Sequence, residues 1–298
     1  MEFIEDLLIN LKKIEPVHTG VEPDYKRDTS IKAIVFDIYG TLLVSASGDI
    51  EQALMSENIL KEALESANIT LNTEDENALK HILDDFEYTI QVCHQSSRNN
   101  DIPYPEIDIL TIWEIVLLHA RRKNLVSFGD DMDTMRMTCV FEFMSNRVYP
   151  MPNMKEVINR LWDKKIPLGI VSNAQFYTPV VMNYFLHQKY TLNDFIEGFQ
   201  KDLSVFSYKL GKGKPDTYLF NELIEPLKES YNLRPDEVLF VGNDMLKDIY
   251  TSKQLGFKTV LFAGDQRSLR WRKEDRRVNG LKPDHVITDL TQLLEIVS

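Results

Sequence analysis

The chain has 298 residues, 43% of them hydrophobic, and a formal net charge of −12 at pH 7. This length suits one large domain with an insertion. The acidic balance argues against a general nucleic-acid binder, because phosphate backbones attract basic surfaces, so a small molecule is the expected ligand.

Cysteine content and hydropathy indicate the compartment. The two cysteines, Cys93 and Cys139, form no CxxC or CxxH pattern for zinc or redox chemistry. No apolar run approaches the ~18 residues of a membrane span, and the acidic amino-terminal segment does not resemble a signal peptide. We expect a cytoplasmic protein with reduced thiols and no membrane partner. Composition leaves monomer and homodimer open.

The amino-terminal region, residues 1–30, is predicted to be a helix followed by a linker. Apolar residues at helical spacing predict an amphipathic helix over residues 2–13: Phe3, Ile4, Leu7, Leu8 and Leu11. Residues 15–30 are polar and contain two prolines and a glycine, which is typical of a linker.

An apolar run at 33–36 predicts a strand buried on both faces of a parallel sheet, and a helical region follows it. Within residues 46–147, Thr73 and Glu76 form a capping-box pattern. Two sets of apolar residues repeat at i, i+3 and i+4: Leu79, Ile82, Leu83, Phe86 and Ile90, then Ile109, Ile112, Trp113, Val116 and Leu117. No comparable strand run occurs there. We predict an inserted helical domain whose core includes Trp113, Tyr104 and His119.

Strands and helices alternate downstream of the insertion. Four further apolar runs predict strands at 166–171, 237–242, 258–264 and 285–288. Helical stretches separate the later runs, and one of them ends at Gly256, where a helix C-cap is expected. This order predicts an α/β, doubly wound, mostly parallel sheet built from residues 31–45 and 148–298 and interrupted by the insertion.

Polar residues follow the predicted strands, and in an open parallel sheet ligands bind beyond the carboxyl ends of the strands. Three strand ends and one intervening loop carry these residues: Asp37; Ser172 and Asn173; Lys214; and Asn243, Asp244 and Asp248. We expect them to meet at one edge of the sheet.

These residue types support phosphoryl transfer. Asp37 can attack phosphorus and form an aspartyl-phosphate, while Lys214 and a divalent cation neutralise the charge. Asp244 and Asp248 share a face if a helix starts near Asp244, and carboxylate oxygens suit Mg²⁺. The hydroxyl and amide pair after the second of these strands would hydrogen-bond the phosphoryl oxygens.

Each motif also has a plainer interpretation. Asp37 would cap the Gly-Thr turn that follows it, the serine and asparagine would mark a strand-to-turn transition, and the acidic pair would be charges favoured at a helix N-terminus. Lys209 and Lys212 compete with Lys214, but Lys214 has the Lys-Pro-Asp context, with its proline expected in the first turn of a helix.

The ordered set "FDIYGTL", "VSN", "KPD" and "VGNDMLKD" resembles the four signature motifs of the haloacid dehalogenase superfamily of hydrolases, and the insertion is similar to that family's cap. The resemblance implies a Rossmann-like core, Mg²⁺ as cofactor and Asp37 as the nucleophile. The implied residues are catalytic Asp37, Ser172, Asn173 and Lys214; substrate-binding Tyr39, Gly40, Thr41, Ser172, Asn173 and Lys214; and metal-binding Asp37, Asp244, Asp248 and the backbone carbonyl of Tyr39.

Position 39 bears on the reaction. Phosphatases of this superfamily usually carry a second aspartate two residues after the nucleophile, as general acid and base, and Tyr39 stands there instead. Tyrosine, with an ordinary pKa of about 10, is a poor base at neutral pH. The "DIYGT" form resembles metal-independent haloacid dehalogenases, yet the acidic pair that those enzymes lack favours a cation and phosphoryl chemistry.

The sequence therefore predicts a Mg²⁺-dependent phosphatase-like hydrolase of a small phosphorylated metabolite, slow on alkyl phosphates. A 2-haloacid dehalogenase and a catalytically weak ligand- or partner-binding protein are the alternatives. The segment 265–277 carries six basic residues. By default it is a solvated charged loop, but it follows a strand and would leave from the edge that holds the motifs, where it could meet an anionic substrate or a partner subunit.

Overall fold

The computed structural model describes residues 7–9, 11–46, 56–72, 75–189 and 193–298. The strands are β1 Ala33–Phe36, β2 Leu43–Ser45, β3 Thr70–Leu71, β4 Val126–Ser127, β5 Val148–Pro150, β6 Leu168–Ser172, β7 Ser204–Phe206, β8 Val238–Gly242, β9 Lys258–Phe262 and β10 His285–Ile287. The α-helices are α1 Glu57–Ser66, α2 Ala78–Asn99, α3 Ile109–Arg122, α4 Thr134–Ser145, α5 Met154–Asp163, α6 Thr178–His187, α7 Ser207–Leu210, α8 Tyr218–Glu229, α9 Thr251–Gln254 and α10 Gln292–Ile296.

Six strands form one sheet in the order β10-β9-β8-β1-β6-β7, and all five neighbouring pairs are parallel. Alternate residues of β1 enter different apolar clusters, with Ile34 and Phe36 in one and Ala33 and Val35 in the other. A strand must be apolar throughout when both faces are covered. The predicted α/β, doubly wound fold is therefore confirmed, with β1 at the centre of the sheet.

Several short strands escaped prediction. Strand β7 extends the sheet beside β6, and β2 pairs antiparallel with β5 where the chain leaves and re-enters the sheet region. Between them β3 and β4 form an antiparallel pair of two residues each. The expectation of no strand within residues 46–147 is wrong in this detail, because runs this short carry no readable periodicity.

Helices α1 to α4 pack against one another around aromatic side chains. Trp113, fully buried, stacks on Phe86 with ring centroids 4.2 Å apart and meets Phe141 edge-on at 4.9 Å. Both predicted helical faces are present in α2 and α3. Thr73 of the predicted capping box lies outside the described residues. The N-cap of α2 is Asn77.

Two residues predicted for the core of the insertion lie elsewhere. His119 is half-buried and lies 3.1 Å from the Asp85 carboxylate. Tyr104 is also half-buried, and its hydroxyl accepts a hydrogen bond from Arg277 over 2.7 Å. An aromatic or imidazole side chain with a polar atom needs a partner, and here the partner lies at the rim of the helical layer.

The amino-terminal region is tied to the sheet along β10 and β9. Residues 7–9 are helical but 11–13 are not, so the predicted helix does not extend to residue 13. Asp24 forms a two-bond bridge with Val286 of β10, and Thr19 donates to the carbonyl of Ala263 over 2.8 Å. The predicted linker thus covers an edge that would otherwise expose unpaired backbone groups.

Cys93 and Cys139 are both free thiols. Among the described residues, no helix combines the length and apolarity that crossing a bilayer requires.

Candidate active site

Polar side chains converge beyond the carboxyl ends of the central strands. Asp37 follows β1, Ser172 ends β6, and Asp244 lies two residues after β8. Because the strands are parallel, these ends share one edge of the sheet. The side chains are buried in spite of their polarity: Asp37, Ser172, Lys214, Asp244 and Asp248. Burial of polar groups is costly unless they are paired, so the pairing within this group determines its chemistry.

Lys214 lies at the centre of the group. Its ammonium donates to Asp37 Oδ1 over 2.7 Å, to Asp248 Oδ1 over 2.6 Å and to the carbonyl of Val171 over 3.1 Å. Burial alone lowers the pKa of a lysine, but the carboxylates of Asp248 and Asp37 outweigh it and hold the pKa of Lys214 above its ordinary value. The ammonium therefore stays charged between two carboxylates.

The competing lysines have other partners. Lys212 lies over the ring of Tyr218, 3.9 Å from its centroid, and Lys209 pairs with Asp194 over 2.8 Å. Of the three candidate lysines, Lys214 contacts Asp37. The helix after it starts only at Tyr218, so the prediction that its proline occupies the first helical turn is wrong. The loop instead reaches the site before the helix begins.

Ser172 and Asn173 form hydrogen bonds with different residues. Ser172 Oγ donates to Asp37 Oδ1 over 3.0 Å. Asn173 Oδ1 accepts from the backbone N–H of Lys214 over 2.8 Å, so its amide fixes the lysine loop. Gly213 permits this approach, because a Cβ there would lie 2.9 Å from Asn173 Nδ2. Ser172 therefore faces the nucleophile candidate, while Asn173 positions Lys214.

The acidic pair sits on a wide helical turn. Residues Met245–Tyr250 form a π-helix, in which the N–H groups of Asp248 and Ile249 both donate to the carbonyl of Asp244. Single π-turns are frequent at functional sites. Asp244 Oδ1 caps this helix by accepting from the N–H groups of residues 246 and 247. The plainer N-terminal role of Asp244 is thus present.

Asp248 is held close to the strand end. Its Oδ2 accepts from the N–H of Asp244 over 3.0 Å, and a Cβ on Gly242 would lie 2.4 Å from its carboxylate. Burial raises the pKa of Asp248 to about 7, and the neighbouring carboxylates add to this, while Lys214 opposes it. The space for this carboxylate exists only because residue 242 lacks a side chain.

The turn after the nucleophile candidate is tight. Gly40 has a φ of +84°, and a Cβ there would lie 2.5 Å from Asn243 Nδ2. Thr41 Oγ1 donates to Asn243 Oδ1 over 3.2 Å and lies 3.4 Å from Asp37 Oδ2. Only glycine adopts this backbone conformation readily at such a close approach. The turn therefore brings the first and last motifs together.

Tyr39 lies between the start of α6 and the helical layer. Its hydroxyl lies 2.8 Å from Thr178 Oγ1, and it lines a small cavity with Glu142 and Tyr177. Burial raises the pKa of Tyr39 above its ordinary value. The phenol therefore stays protonated at neutral pH and supplies even less phenolate base than an exposed tyrosine, in agreement with the expectation from sequence.

Arg272 completes the group, and sequence analysis did not single it out. Its Nη2 and Nε donate to Asp244 Oδ2 over 2.7 and 3.0 Å. Backbone hydrogen bonds fix the segment before it: the N–H of Arg270 donates to the carbonyl of Asn243, and the N–H of Met245 donates to the carbonyl of Arg270. The default expectation of a solvated loop is wrong here. The available signal was that the segment follows β9 at the site edge.

The carboxylate oxygens of the group bear on cation binding. Among the described residues, no three His, Cys, Asp or Glu side chains are arranged to hold a metal ion, because Lys214 and Arg272 pair with the carboxylates. The donors themselves are buried carboxylate oxygens beside a backbone turn. Such hard oxygen ligands suit Mg²⁺, so Asp37, Asp244 and Asp248 are donors of the chemical type that this cation binds.

The helical layer is fastened to the sheet region beside the site. Tyr104 accepts from the backbone N–H of Gly213, next to Lys214, through its carbonyl over 2.8 Å and from Arg277 through its hydroxyl. Gln175, shortly after β6, accepts from the backbone N–H of Ile109 over 3.0 Å. These contacts explain the position of Tyr104 at the rim and place the start of α3 over the site.

A parallel sheet with a buried Asp–Lys–Asp cluster at its carboxyl edge and a helical layer above defines a Rossmann-like hydrolase site. The chain belongs to the haloacid dehalogenase-like hydrolases, whose family model matches residues 31–256. This match confirms the resemblance seen in the motifs.

Two curated relatives match part of the chain. Ribulose-1,5-bisphosphate 5-phosphatase of Halopiger xanaduensis is 27% identical over 147 residues, which are 49% of this chain and 56% of that protein. Glyceraldehyde 3-phosphate phosphatase of Pyrococcus furiosus is 27% identical over 147 residues, which are 49% of this chain and 53% of that protein. The matched region thus spans about half the length of the curated relatives.

A solved structure matches over most of the chain. The 2-haloacid dehalogenase from Pseudomonas syringae pv. Tomato DC3000 aligns with a TM-score of 0.56 and 19% identity, covering 90% of this chain and 98% of that one. At this identity the likeness shows the fold alone.

Proposed function

We propose that the protein hydrolyses a small phosphorylated metabolite through an aspartyl-phosphate on Asp37. The observation that carries the proposal is the ammonium of Lys214, held between Asp37 and Asp248 and buried from solvent. A buried cation beside a buried carboxylate offsets the repulsion between an anionic nucleophile and a phosphate. The two phosphatase-named relatives add support at low identity.

The reaction has two displacements. In the first, an Asp37 carboxylate oxygen forms a bond to phosphorus while the bond from phosphorus to the leaving oxygen breaks. Ser172 Oγ and Lys214 Nζ, both within 3.0 Å of Asp37 Oδ1, donate to the phosphoryl oxygens as charge moves onto them. In the second, water attacks the acyl phosphate and restores the carboxylate, releasing inorganic phosphate.

A Mg²⁺ ion would be held by Asp37, Asp244 and Asp248 with the backbone carbonyl of Tyr39, and it would neutralise phosphate charge. The chain's own residues prepare this set. Gly40, with Asn243 packed against it, fixes the turn that carries Tyr39 and Thr41, and these turn residues are proposed to contact the substrate.

Proton supply to the leaving group is the weak point of the site. The Tyr39 hydroxyl is paired with Thr178, so we propose that it does not protonate a leaving alkoxide. Substrates whose leaving group departs as a stable anion are therefore favoured. Helices α1 to α4 form the cap, which we propose selects among small phosphorylated metabolites.

A 2-haloacid dehalogenase is the second candidate. Tyr39 stands two residues after Asp37, where phosphatases of this superfamily usually carry a second aspartate, and a halide leaving group departs without a proton. The buried pair Asp244 and Asp248 argues against it, since three carboxylates share the two cationic side chains Lys214 and Arg272, and a divalent cation would reduce the repulsion among them. A binding protein without turnover is the third candidate.

One screen separates these functions. Phosphorylated metabolites and 2-haloacids are incubated with the protein in Mg²⁺ and in EDTA, and released phosphate and halide are measured. Phosphate release that requires Mg²⁺ and disappears in Asp37→Asn supports the proposal. Halide release in EDTA would support the dehalogenase. A ligand that binds Asp37→Asn as well as the unmodified protein, with no turnover in either medium, would indicate a binding role.

A further inference from the structure

Asp265 is a buried carboxylate outside the site described above. It lies three residues after β9 and is 1% exposed. Its Oδ1 accepts from the backbone N–H of Val17 over 2.8 Å, and its Oδ2 accepts from Ser268 Oγ over 3.2 Å. Arg267 Nε lies 3.2 Å from Oδ1. A buried charge is tolerated when it is paired in this way, so Asp265 joins the amino-terminal region to the segment after β9.

Ser268 connects Asp265 to the active site. It is fully buried, and its backbone N–H donates to the carbonyl of Asp265 over 3.1 Å. Backbone and side chain thus fix it from the same residue. The carbonyl of Ser268 accepts from Asn243 Nδ2 over 2.6 Å. The position of the Asn243 amide therefore depends on how Ser268 is held.

Asn243 and Ser268 together enclose the turn after Asp37. A Cβ on Gly40 would lie 2.5 Å from Asn243 Nδ2 and 2.6 Å from Ser268 Cβ. Asn243 Oδ1 accepts from Thr41 Oγ1 over 3.2 Å, and that hydroxyl oxygen lies 3.4 Å from Asp37 Oδ2. A continuous series of contacts therefore runs from the segment after β9 to the nucleophile candidate.

The amino-terminal region holds the same segment from its other side. The backbone N–H of Gln266 donates to the carbonyl of Val17 over 2.8 Å, and Arg267 Nη2 donates to the carbonyl of Glu15 over 2.6 Å. With the bond from Val17 to Asp265, these contacts anchor residues 15–17 on residues 265–267. They include no residue of the site, so their effect on it is indirect.

We propose that Asp265 is a positioning residue, which acts through Ser268 and Asn243 to hold the turn after Asp37 in the geometry that the reaction needs. The role gives a purpose to two parts of the chain outside the four motifs, the amino-terminal region and the start of the basic segment 265–277. The inference rests on the proposed function insofar as the reaction at Asp37 is phosphoryl transfer.

Amide hydrogen exchange on the full chain tests the hold on the turn without any substrate. The N–H groups of residues 40–43 donate to carbonyls within residues 38–43, so their exchange reports local opening of the turn. Asp265→Ala removes both carboxylate oxygens and should speed this exchange by about tenfold, as the loss of one or two hydrogen bonds allows.

Asp284→Ala is the matched control for this measurement. The carboxylate of Asp284 also accepts from a backbone N–H and a hydroxyl, both of Thr259, but it does so near the amino end of β9, away from the site. This variant should leave exchange of the turn unchanged. Equal exchange of the turn in the two variants would overturn the proposal.

Steady-state kinetics with 4-nitrophenyl phosphate tests the effect on the reaction. Asp265→Ala should lower kcat by up to about 10²-fold, as a displacement of roughly 1 Å does, and should leave KM near its original value. Asp265→Asn keeps an oxygen for the Val17 N–H and gains an amide that can donate to Ser268 Oγ, so it should restore most of kcat. An unchanged kcat in Asp265→Ala, or a change in KM alone, would overturn the proposal.

Ser268→Ala provides a milder variant. It removes the hydroxyl that contacts Asp265 but keeps the Cβ beside Gly40 and the carbonyl that accepts from Asn243. It should speed exchange of the turn and lower kcat, both by less than Asp265→Ala does. The double variant should be no slower than Asp265→Ala, because residues that act in one series are not additive. Effects that multiply would show that Asp265 does not act through Ser268.

The two kinds of measurement separate this inference from the proposed function. If Asp265→Ala loosens the turn and the unmodified protein hydrolyses no phosphate ester, the proposed function fails and the hold of Asp265 on the turn stands. If all variants hydrolyse 4-nitrophenyl phosphate as fast as the unmodified protein, the proposed function stands and this inference fails. Thermal melts of each variant establish that the fold is intact at the assay temperature.

Discussion

The hydroxyl of Tyr39 lies 2.8 Å from the hydroxyl of Thr178, the first residue of α6. The side chain at this position therefore joins the turn after Asp37 to a helix, and its pKa is raised by burial. Tyr39 is a packing residue in the junction between the sheet and the cap.

Leaving-group dependence should follow from this role. Aryl or acyl phosphates should be cleaved faster than alkyl phosphates by a factor on the order of 10² to 10⁴, the usual contribution of a general acid. Tyr39→Phe should keep that ratio and lose about 0.5–1.5 kcal/mol of stability through the lost hydrogen bond. Tyr39→Asp should slow both substrates and lower the melting temperature. Faster alkyl phosphate cleavage by Tyr39→Asp would contradict the packing role.

Removal of Lys214 should destabilise the fold as well as abolish turnover. Lys214→Met leaves the buried carboxylates of Asp37 and Asp248 without their shared cation, a change that costs about 3–5 kcal/mol. Lys212→Met is the control, because its ammonium lies over the ring of Tyr218 and such a contact contributes about 1 kcal/mol or less. Urea unfolding of both variants gives the comparison, and similar losses would show that the buried cluster has no special energetic role.

The turn glycine gives a third prediction. Gly40 and Gly280 have φ values of +84° and +73°, but only Gly40 has atoms within 4 Å of a built Cβ. Gly280→Ala should cost about 1–2 kcal/mol for the left-handed conformation. Gly40→Ala adds a clash with Asn243 and should cost more and reduce turnover, as denaturation and rate measurements will show. Equal losses of stability in Gly40→Ala and Gly280→Ala would mean that the site accommodates the extra methyl group without a clash.

Glu142 should make stability depend on pH. Its carboxylate accepts from the hydroxyl of Tyr177 over 3.1 Å, and burial raises its pKa from 4.5 to about 7. The folded protein therefore binds this proton more tightly than the unfolded chain does. The contribution of Glu142 to the free energy of unfolding should be largest below pH 4.5 and fall by up to about 3 kcal/mol as the pH rises through 7.

Glu142→Gln isolates this contribution. In the variant the fall between these pH values should shrink by that amount, as measured by urea unfolding at a series of pH values. The exposed Glu114 of α3 provides the control, since Glu114→Gln should leave the pH dependence unchanged. An identical fall in the unmodified protein and in Glu142→Gln would refute the assignment.

Cation binding should raise the melting temperature, because a ligand that binds only the folded state stabilises it, by about 2.7 kcal/mol at 100 times the dissociation constant. Asp244→Asn should reduce this shift. The exposed Asp236, which pairs with Arg234, is the control position, and Asp236→Asn should keep the shift. No response to millimolar Mg²⁺ in the unmodified protein would count against a cation site.

Sequence patterns predicted the meeting of Asp37 and Ser172 because each lies at the end of a strand in a parallel fold, and they predicted Lys214 from its Lys-Pro-Asp context. The carboxyl ends of such strands lie at one edge of the sheet, whatever conformation the loops adopt. The apolar runs that became β1, β6, β8 and β9 were readable for the same reason, since strands covered on both faces are apolar throughout.

Contacts that depend on loop paths were beyond prediction. Arg272 reaches Asp244 because Arg270 pairs through its backbone with Asn243 and Met245, and backbone pairing outside regular strands leaves no periodic pattern. Tyr104 was placed in the core from its residue type, yet its neighbours lie on a loop distant in sequence. The three-residue β7 is too short to show a period.

Strand β1 has a consequence for synthesis of the chain. Its residues pair with β6 on one side and β8 on the other, and both partners follow the cap in sequence. As the chain leaves the ribosome, the cap helices are synthesised after β1 and before its partner strands. The cap helices make local contacts, and both edges of β1 stay unpaired during this time. Open apolar edges invite pairing with other chains. Strand β1 therefore lacks its partner on the β8 side until Val238–Gly242 has emerged.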